Sequence, residues 1–351
     1  MPDLELDMRG AGIFENRPVT TVATGMQSAE QIDNGSNLGR VPNFFVVGAA
    51  KSATTTLHAI LDRHSEVYCP PLKEPGFFAD DDAPGMFDPF SGRPPFDGAS
   101  YVRGAMAHHE QVAYITDLDV YRQLYRRVGG EKIVGDFSTA YLCSVHAAAR
   151  IKAFDPKAKI LMILREPIDR AISHYKMDRA IGLASSSFSD LIAAEMAALL
   201  DQTKVAHRYI RLGLYAEQVE RYLKEFPIGQ VKIVLFEDIK NAREKTLREI
   251  EAFLGVSHEV AQLDLVVNKS EQPRSRHLVE IIDKLNIRPL IRRLVPKSVI
   301  AFGKSALYKP YAGEVIATPD DVARLQAIFA PDVKRLSAAI DRDLSAWQSA
   351  I

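Results

Sequence analysis

Short hydrophobic runs alternate with amphipathic stretches through the middle of the chain. A continuous apolar run bounded by turn residues is typical of a strand buried on both faces of a sheet. Runs of this kind predict strands at Phe44–Gly48, Val67–Cys69, Lys132–Asp136, Lys159–Leu164 and Val231–Phe236.

Apolar residues at helical spacing fill the intervals between these strands. They predict helices from Leu57 to about Arg63, near Leu118–Val128, at Ala147–Phe154, from Pro167 through Tyr175, at Tyr215–Glu225 and at Thr246–Leu254. Alternation of strands and helices favours an α/β fold with a central parallel sheet flanked by helices. From Ser275 to the end, the pattern is mostly that of amphipathic helices.

Domain organisation follows from where the periodic pattern begins and breaks. Residues 1–41 show no sustained period and are predicted to be a tail or an arm, while residues 42–351 are predicted to form a single domain with a helical part at 275–351. Residues 79–114 include a segment rich in Asp, Pro, Gly and Phe. Long loops inside a domain often bind substrates, so this loop is assigned to substrate recognition, with a mobile acidic surface loop as the alternative.

The composition limits the classes of partner and the cellular compartment that we expect for the protein. The 351 residues carry 44 Lys and Arg against 45 Asp and Glu, a net charge of -1, which argues against nucleic acid as the main partner. Two cysteines, Cys69 and Cys143, make no disulfide framework and favour a reducing compartment. With no signal peptide and no membrane-length apolar run, the sequence predicts a soluble cytoplasmic protein. The oligomeric state stays open.

The first predicted strand leads into a loop that is unusually rich in hydrogen-bond donors. Lys51 is followed by hydroxyl residues at Ser52, Thr54, Thr55 and Thr56. A helix start carries unpaired N–H groups and partial positive charge, so such a loop favours anion binding. The alternative is a plain strand-to-helix turn in which Ser52 or Thr54 is only the N-cap.

Three unusual segments follow predicted strands, namely Lys51–Thr56, Asp136–Tyr141 and Arg165–Ser173. Ligands of open parallel sheets lie at the carboxyl ends of strands, so we expect these segments to meet. Arg165 and Ser173 are spaced to converge on one phosphate. A surface salt bridge from Arg165 to Glu166 or Asp169 is the alternative.

The loop departs from the G-x-x-x-x-G-K-[ST] pattern of nucleoside triphosphatases. Lys51 comes three residues after Gly48, and Ala53-Thr54 stands where that pattern has Gly-Lys. Asp136 and Glu237 each end a predicted strand, which keeps a magnesium-dependent kinase or NTPase as an alternative.

Together these motifs resemble the sulfotransferases that use 3′-phosphoadenosine 5′-phosphosulfate (PAPS), especially the branch of heparan sulfate N- and O-sulfotransferases and their bacterial relatives. Gly48–Leu57 resembles the family's 5′-phosphosulfate loop, and Arg165–Tyr175 its 3′-phosphate motif. Lys73–Phe78 resembles the segment that carries the catalytic glutamate. Later landmarks are Gly213–Tyr215, Phe236–Asp238 and Phe253–Gly255. The resemblance implies a P-loop-kinase-like sulfotransferase fold.

The resemblance also implies roles for individual residues. Glu74 is expected to be the general base, with His174 and His146 as rivals, and Lys51 to stabilise charge in the transition state. The alternative is that Glu74 only pairs with Lys73 or caps a turn. The residues expected to bind PAPS, and its product 3′,5′-adenosine bisphosphate (PAP), are Lys51, Ser52, Ala53, Thr54, Thr55, Thr56, Arg165, Ser173 and Arg274. Lys73, Asp136 and His146 are assigned to substrate, and no metal is expected to be required.

Two positions depart from the family pattern. Ala53 stands where the family usually has glycine, so we expect a negative φ there. Phe137 stands where glycan-modifying members often carry a lysine.

The expected acceptor is a hydroxyl or amine of a carbohydrate, lipid or small-molecule natural product. A non-catalytic nucleotide-binding module is a further alternative.

Overall fold

The computed structural model describes residues 40–79, 97–112, 115–181, 183–200, 208–259, 271–273, 308–310 and 316–349. Its strands, in chain order, are β1 (Phe44–Gly48), β2 (Val67–Tyr68), β3 (Leu72–Lys73), β4 (Glu110–Gln111), β5 (Ile133–Phe137), β6 (Lys159–Leu164), β7 (Val231–Leu235), β8 (Glu271–Pro273) and β9 (Tyr308–Pro310). The five strands β2-β5-β1-β6-β7 form one sheet in that order, and every neighbouring pair is parallel. The predicted central parallel sheet is therefore confirmed.

Helices connect these strands and cover both faces of the sheet. They are α1 (Thr54–Leu61), α2 (Gly98–Arg103), α3 (Leu118–Gln123), α4 (Ala140–Cys143), α5 (Ala147–Phe154), α6 (Pro167–Ile181), α7 (Phe188–Leu200), α8 (Tyr215–Glu225), α9 (Phe236–Asn241), α10 (Arg243–Leu254), α11 (Pro319–Ala339) and α12 (Ala346–Ser349). Short 3₁₀ turns lie at Phe77–Ala79, Arg211–Gly213 and Ile228–Gln230.

Alternate side chains of β1 enter two separate hydrophobic cores. Phe45 and Val47 pack with side chains of α5, α8 and α11, whereas Phe44 and Val46 pack with those of α1 and α10. All four side chains are fully buried. This arrangement explains the continuous apolar run, because a strand covered on both faces has no polar side.

Most element boundaries agree with the periodic pattern. α5, β6 and α8 have the predicted bounds, while α6 continues beyond Tyr175 to Ile181 and α10 begins earlier than predicted, at Arg243. In the described helices, none is long and apolar enough to cross a membrane.

The predicted substrate loop at 79–114 is described only in part. It contains helix α2 and strand β4, and β4 pairs in parallel with β3. Residues 80–96 and 113–114 lie outside the described residues, as do 1–39 of the predicted arm and 275–307 of the predicted helical part.

Candidate active site

The carboxyl ends of three neighbouring strands define the site. β1 lies between β5 and β6, and all three run in the same direction. The loop after Gly48, the segment after Phe137 and the residue Arg165 therefore leave the sheet at one edge, as the sequence predicts.

Left-handed backbone shapes the loop after β1. Lys51 has a φ of 70° and Ala53 a φ of 65°. The predicted negative φ at Ala53 is therefore wrong. A left-handed conformation costs an L-residue roughly 1–2 kcal/mol, and such strain is found where a site demands a particular backbone path.

Ser52 presents an unsatisfied hydroxyl in this loop. Its side chain is fully buried, and its Oγ has no hydrogen-bond partner among the described residues. Ala53 is the N-cap residue of α1, and its side chain makes no capping hydrogen bond. The alternative in which Ser52 or Thr54 serves only as the cap is therefore wrong. Thr55 and Thr56 lie half-buried in the first turn of α1.

The Lys51 side chain reaches across to helix α6. Its Nζ lies 3.3 Å from the Sδ of Met177. Burial lowers the pKa of Lys51, while the negative charge of Asp178 opposes that shift. The charges of Arg165, Glu74 and Lys73 also act on Lys51. Lys51 therefore lies close to both the segment that carries Arg165 and the segment that carries Glu74.

Arg165 is held against the loop from the neighbouring strand. Its Nη1 donates to the carbonyl of Lys51 at 3.3 Å, and its guanidinium lies 4.6 Å from the ring centroid of Phe236. The predicted surface contact with Asp169 is present at 3.5 Å, but it is one contact among several. The Nε of Arg165 is buried and has no hydrogen-bond partner among the described residues. Ser173 lies half-buried farther along α6.

Glu74 follows the short strand β3 in a left-handed conformation, with a φ of 63°. Its backbone N–H donates to the carbonyl of Phe137 at 3.0 Å. One carboxylate oxygen lies 2.5 Å from the Nζ of Lys73, and the other accepts from the hydroxyl of Thr139 at 2.9 Å. The side chain of Glu74 is 16% exposed, whereas that of Lys73 is 4% exposed. Glu74 therefore has a fixed orientation and an accessible edge.

Asp136 is the centre of a hydrogen-bond network next to the segment that carries Glu74. Its carboxylate accepts hydrogen bonds from the hydroxyls of Tyr121 at 2.7 Å, Tyr141 at 2.8 Å and Ser138 at 2.7 Å. Ser138 in turn accepts from the backbone N–H of Gly76 at 3.2 Å. Burial raises the pKa of Asp136 to about 6, against the effect of these hydroxyl donors. Asp136, which the sequence assigns to substrate, is fully buried and orients the protein's own side chains.

A second polar network lies on α6, beside Lys51. Arg170, His174 and Asp178 are spaced four residues apart, which places them on one face of the helix. His174 Nε2 lies 3.7 Å from Asp178 Oδ1, and the hydroxyl of Tyr209 donates to Asp178 Oδ2 at 2.8 Å. His174, the rival base, is thus engaged with neighbours on its own helix.

The sequence interpretation missed Asp178, Met177 and Thr139 as site residues. The four-residue spacing of Arg170, His174 and Asp178 was the available signal for Asp178. Nothing in the sequence pattern indicated Met177, because its contact with Lys51 depends on how helix α6 packs beside the loop after β1.

The remaining predicted residues lie elsewhere. His146 is exposed, directly before α5. Arg274 lies outside the described residues. Phe137 is buried, with its ring edge-on to Phe44 and His58. Cys69 and Cys143 are not joined by a disulfide bond.

A model of the sulfotransferase family matches residues 42–260 of the chain. These residues include the Lys51 loop, Glu74 and the Arg165 segment, so the family match covers the three parts of the candidate site.

Curated relatives carry the same family name. The chain is 29% identical over 168 residues to heparan sulfate glucosamine 3-O-sulfotransferase 3B1 of Mus musculus, covering 48% of this chain and 43% of that protein. It is 25% identical over 223 residues to bifunctional heparan sulfate N-deacetylase/N-sulfotransferase 2 of Homo sapiens, covering 62% of this chain and 22% of that protein. The chain thus matches less than half the length of these relatives.

A solved structure extends the similarity to almost the whole chain. The sulfotransferase from Alicyclobacillus acidocaldarius is 34% identical, with a TM-score of 0.61, and the match covers 88% of this chain and 98% of that one. On this agreement of family model, relatives and fold, the chain belongs to the sulfotransferase family.

Proposed function

We propose that the protein transfers a sulfuryl group from PAPS to a hydroxyl or amine acceptor and releases PAP. The observation that carries this proposal is the contact between two predicted anion sites: Arg165 donates to the carbonyl of Lys51. A nucleotide with phosphate groups at both its 5′ and 3′ positions matches such a pair of adjacent sites.

The unsatisfied donors support a fit to this nucleotide. Ser52 Oγ and Arg165 Nε are both buried without a hydrogen-bond partner among the described residues. Buried donors are normally paired, so an anion that accepts from them is the simplest explanation of their placement. Lys51, Ser52 and the start of α1 would hold the 5′-phosphosulfate, and Arg165 with Ser173 the 3′-phosphate.

Sulfuryl transfer breaks the bond between sulfur and the bridging oxygen of the donor and forms a bond from sulfur to the acceptor. In this proposal, Lys51 stabilises negative charge that develops on the departing phosphate, and Glu74 accepts the proton that the acceptor loses. Loss of one such preorganised charge partner typically costs ~2.7–4 kcal/mol of transition-state stabilisation.

The ion pair with Lys73, an alternative that the sequence left open for Glu74, is compatible with a role as base. Lys73 and Thr139 hold the two carboxylate oxygens in place. A base that is fixed by its neighbours needs little reorganisation when the acceptor arrives. Lys73 is thus better described as a partner of Glu74 than as a contact for substrate.

The acceptor is proposed to be a carbohydrate, a lipid or a small-molecule natural product. The curated relatives are named for heparan sulfate, which makes a sugar acceptor reasonable. However, Phe137 packs into the core and brings no positive charge to the site. The net charge of -1 also provides no overall attraction for a polyanion.

Thermal shift measurements test the proposal. PAP should raise the melting temperature in the presence of a chelator, whereas ATP with magnesium should raise it little, because a ligand stabilises only the state that binds it. Stabilisation by ATP and magnesium alone would instead support the kinase alternative. Binding of PAP without any release of PAP from PAPS, across a panel of phenol, alkyl alcohol and amino-sugar oligosaccharide acceptors, would support the non-catalytic module.

Three sequence-based expectations stay predictions. These are a single domain over residues 42–351, a cytoplasmic location and transfer without a metal ion.

A further inference from the structure

Helix α11 lies beyond the residues 42–260 that match the family model, yet it packs beside the proposed 3′-phosphate site. Its buried face includes Leu325, Phe329 and Val333. Phe329 and Val333 line a small cavity together with Glu166 and Ile168, the residues around the start of α6. The helix therefore contacts the segment that directly follows Arg165.

Asp332 of α11 caps the start of helix α8 from outside that helix. Its Oδ2 accepts from the backbone N–H of Tyr215 at 2.7 Å, and its Oδ1 and Oδ2 each lie 3.2 Å from the N–H of Ala216. The residue at the N-cap position of α8, Leu214, provides no side-chain cap. Asp332 thus supplies the anion that a helix start requires.

Tyr215 links the capped start of α8 to the backbone of Arg165. Its side chain is fully buried, and its hydroxyl donates to the backbone carbonyl of Arg165 at 3.0 Å. Close packing supports the same link. A Cβ at Gly213 would lie 2.9 Å from the ring of Phe329 and 3.1 Å from Cβ of Pro167, so the backbone of Gly213 packs closely against both residues.

We propose that Asp332 is a positioning residue for the 3′-phosphate site, acting through the start of α8 and the Tyr215 hydroxyl on the backbone of Arg165. This inference rests on the proposed function. It assigns a role in nucleotide selection to α11, a helix that lies outside the segment that matches the family model. Removal of the carboxylate releases the N-terminus of α8, and Arg165 loses the fixed backbone from which its guanidinium reaches the phosphate.

The experiment is titration calorimetry of the full chain with PAP and with adenosine 5′-monophosphate (AMP), which lacks the 3′-phosphate. The variants are Asp332→Ala, Asp332→Asn and Tyr215→Phe. Asp320→Asn, which removes an exposed charge from the first turn of α11, is the matched control. Arg335→Gln removes the ion pair between Arg335 and Glu220, a second contact between α11 and α8, and leaves the carboxylate of Asp332 in place.

For Asp332→Ala, we expect the preference for PAP over AMP to fall about tenfold, with AMP affinity nearly unchanged, in line with the loss of a strong helix cap. Asp332→Asn keeps an acceptor oxygen and should fall between this variant and wild type. Tyr215→Phe should lose preference in the same way, and both controls should keep it.

Equal loss of PAP and AMP affinity, in proportion to a lower melting temperature, would show a purely structural role and overturn the inference. An unchanged preference in folded Asp332→Ala would also overturn it. If the wild-type protein itself showed no preference for PAP over AMP, the proposed function would fail, which is a separate outcome.

Discussion

The candidate site has a donor end, formed by the Lys51 loop and Arg165 where the sulfuryl donor is proposed to bind, and an acceptor end, formed around Glu74. The two ends differ in how many of their polar groups already have hydrogen-bond partners within the protein. At the donor end, Ser52 Oγ and Arg165 Nε have no hydrogen-bond partner among the described residues. At the acceptor end, both carboxylate oxygens of Glu74 are engaged, by Lys73 and by Thr139. In the proposed function, a ligand completes the donor end, whereas the protein itself preorganises the acceptor end.

In the proposed function, this difference separates the residues that hold the nucleotide and its departing group from the residue that activates the acceptor. Substitutions at the donor end should change nucleotide affinity or the stabilisation of the departing group. Substitutions at the acceptor end should change turnover with little effect on nucleotide affinity. The following expectations run from the largest effect to the smallest.

Glu74→Gln should reduce turnover about 100- to 10,000-fold, the usual worth of a general base, while PAP affinity stays unchanged. The measurement is release of PAP from PAPS with whichever acceptor of the panel supports turnover. Glu110→Gln, in the strand paired with β3, is the control and should keep normal turnover. Near-normal turnover of Glu74→Gln would show that Glu74 is not the base and would favour a histidine in that role.

Lys51→Met should reduce turnover about 100- to 1000-fold, because a buried charge partner of the departing group is lost. Methionine preserves much of the length of the side chain, and the neighbour of Nζ is itself the sulfur of Met177. Lys157→Met, at an exposed position, controls for loss of charge. A Lys51→Met enzyme with wild-type turnover would contradict the assignment.

Arg165→Lys should weaken PAP binding about 10- to 100-fold and leave AMP binding almost unchanged. Lysine keeps the positive charge but loses the planar fork that can donate two hydrogen bonds to one phosphate. Calorimetry measures both affinities. Parallel loss of PAP and AMP affinity would place Arg165 away from the 3′-phosphate.

Asp136→Asn should change how stability depends on pH. Burial raises the pKa of Asp136 from 3.8 to about 6, so the protonated form favours the folded state. That contribution is complete below the unfolded pKa near 4 and is lost as pH rises through 6. Wild type should therefore lose about 2–3 kcal/mol of unfolding free energy relative to Asp136→Asn between pH 4 and pH 7. Urea unfolding measures this, and parallel pH profiles would contradict it.

Ala53→Gly should stabilise the protein by up to about 1 kcal/mol, since glycine tolerates the observed φ of 65° better than alanine. Leu61→Gly, at the end of the same helix, should destabilise it. A loss of stability in Ala53→Gly would mean that the left-handed conformation is not strained there.

Local sequence predicted the donor end better than its surroundings. The Lys51 loop and the Arg165 segment each consist of contiguous residues, and the parallel sheet brings them together through strand order alone. By contrast, the contacts of Lys51 with Met177 and of Asp332 with Tyr215 are made by side chains on the helices α6 and α11. Such contacts depend on helix packing that periodicity does not specify.

The error at Ala53 has a similar cause. Residue type alone favours a negative φ, but the path from β1 into α1 imposes a left-handed conformation at Ala53 and also at Lys51. Functional sites commonly override local preference in this way.

Titration calorimetry of the wild-type protein with PAP and with AMP, in the presence of a chelator, tests most directly the claim that two adjacent anion sites bind one nucleotide. If Arg165 and the Lys51 loop each hold a phosphate, PAP should bind at least about tenfold more tightly than AMP, the worth of one charge-assisted contact. Equal affinities for the two nucleotides would contradict the account.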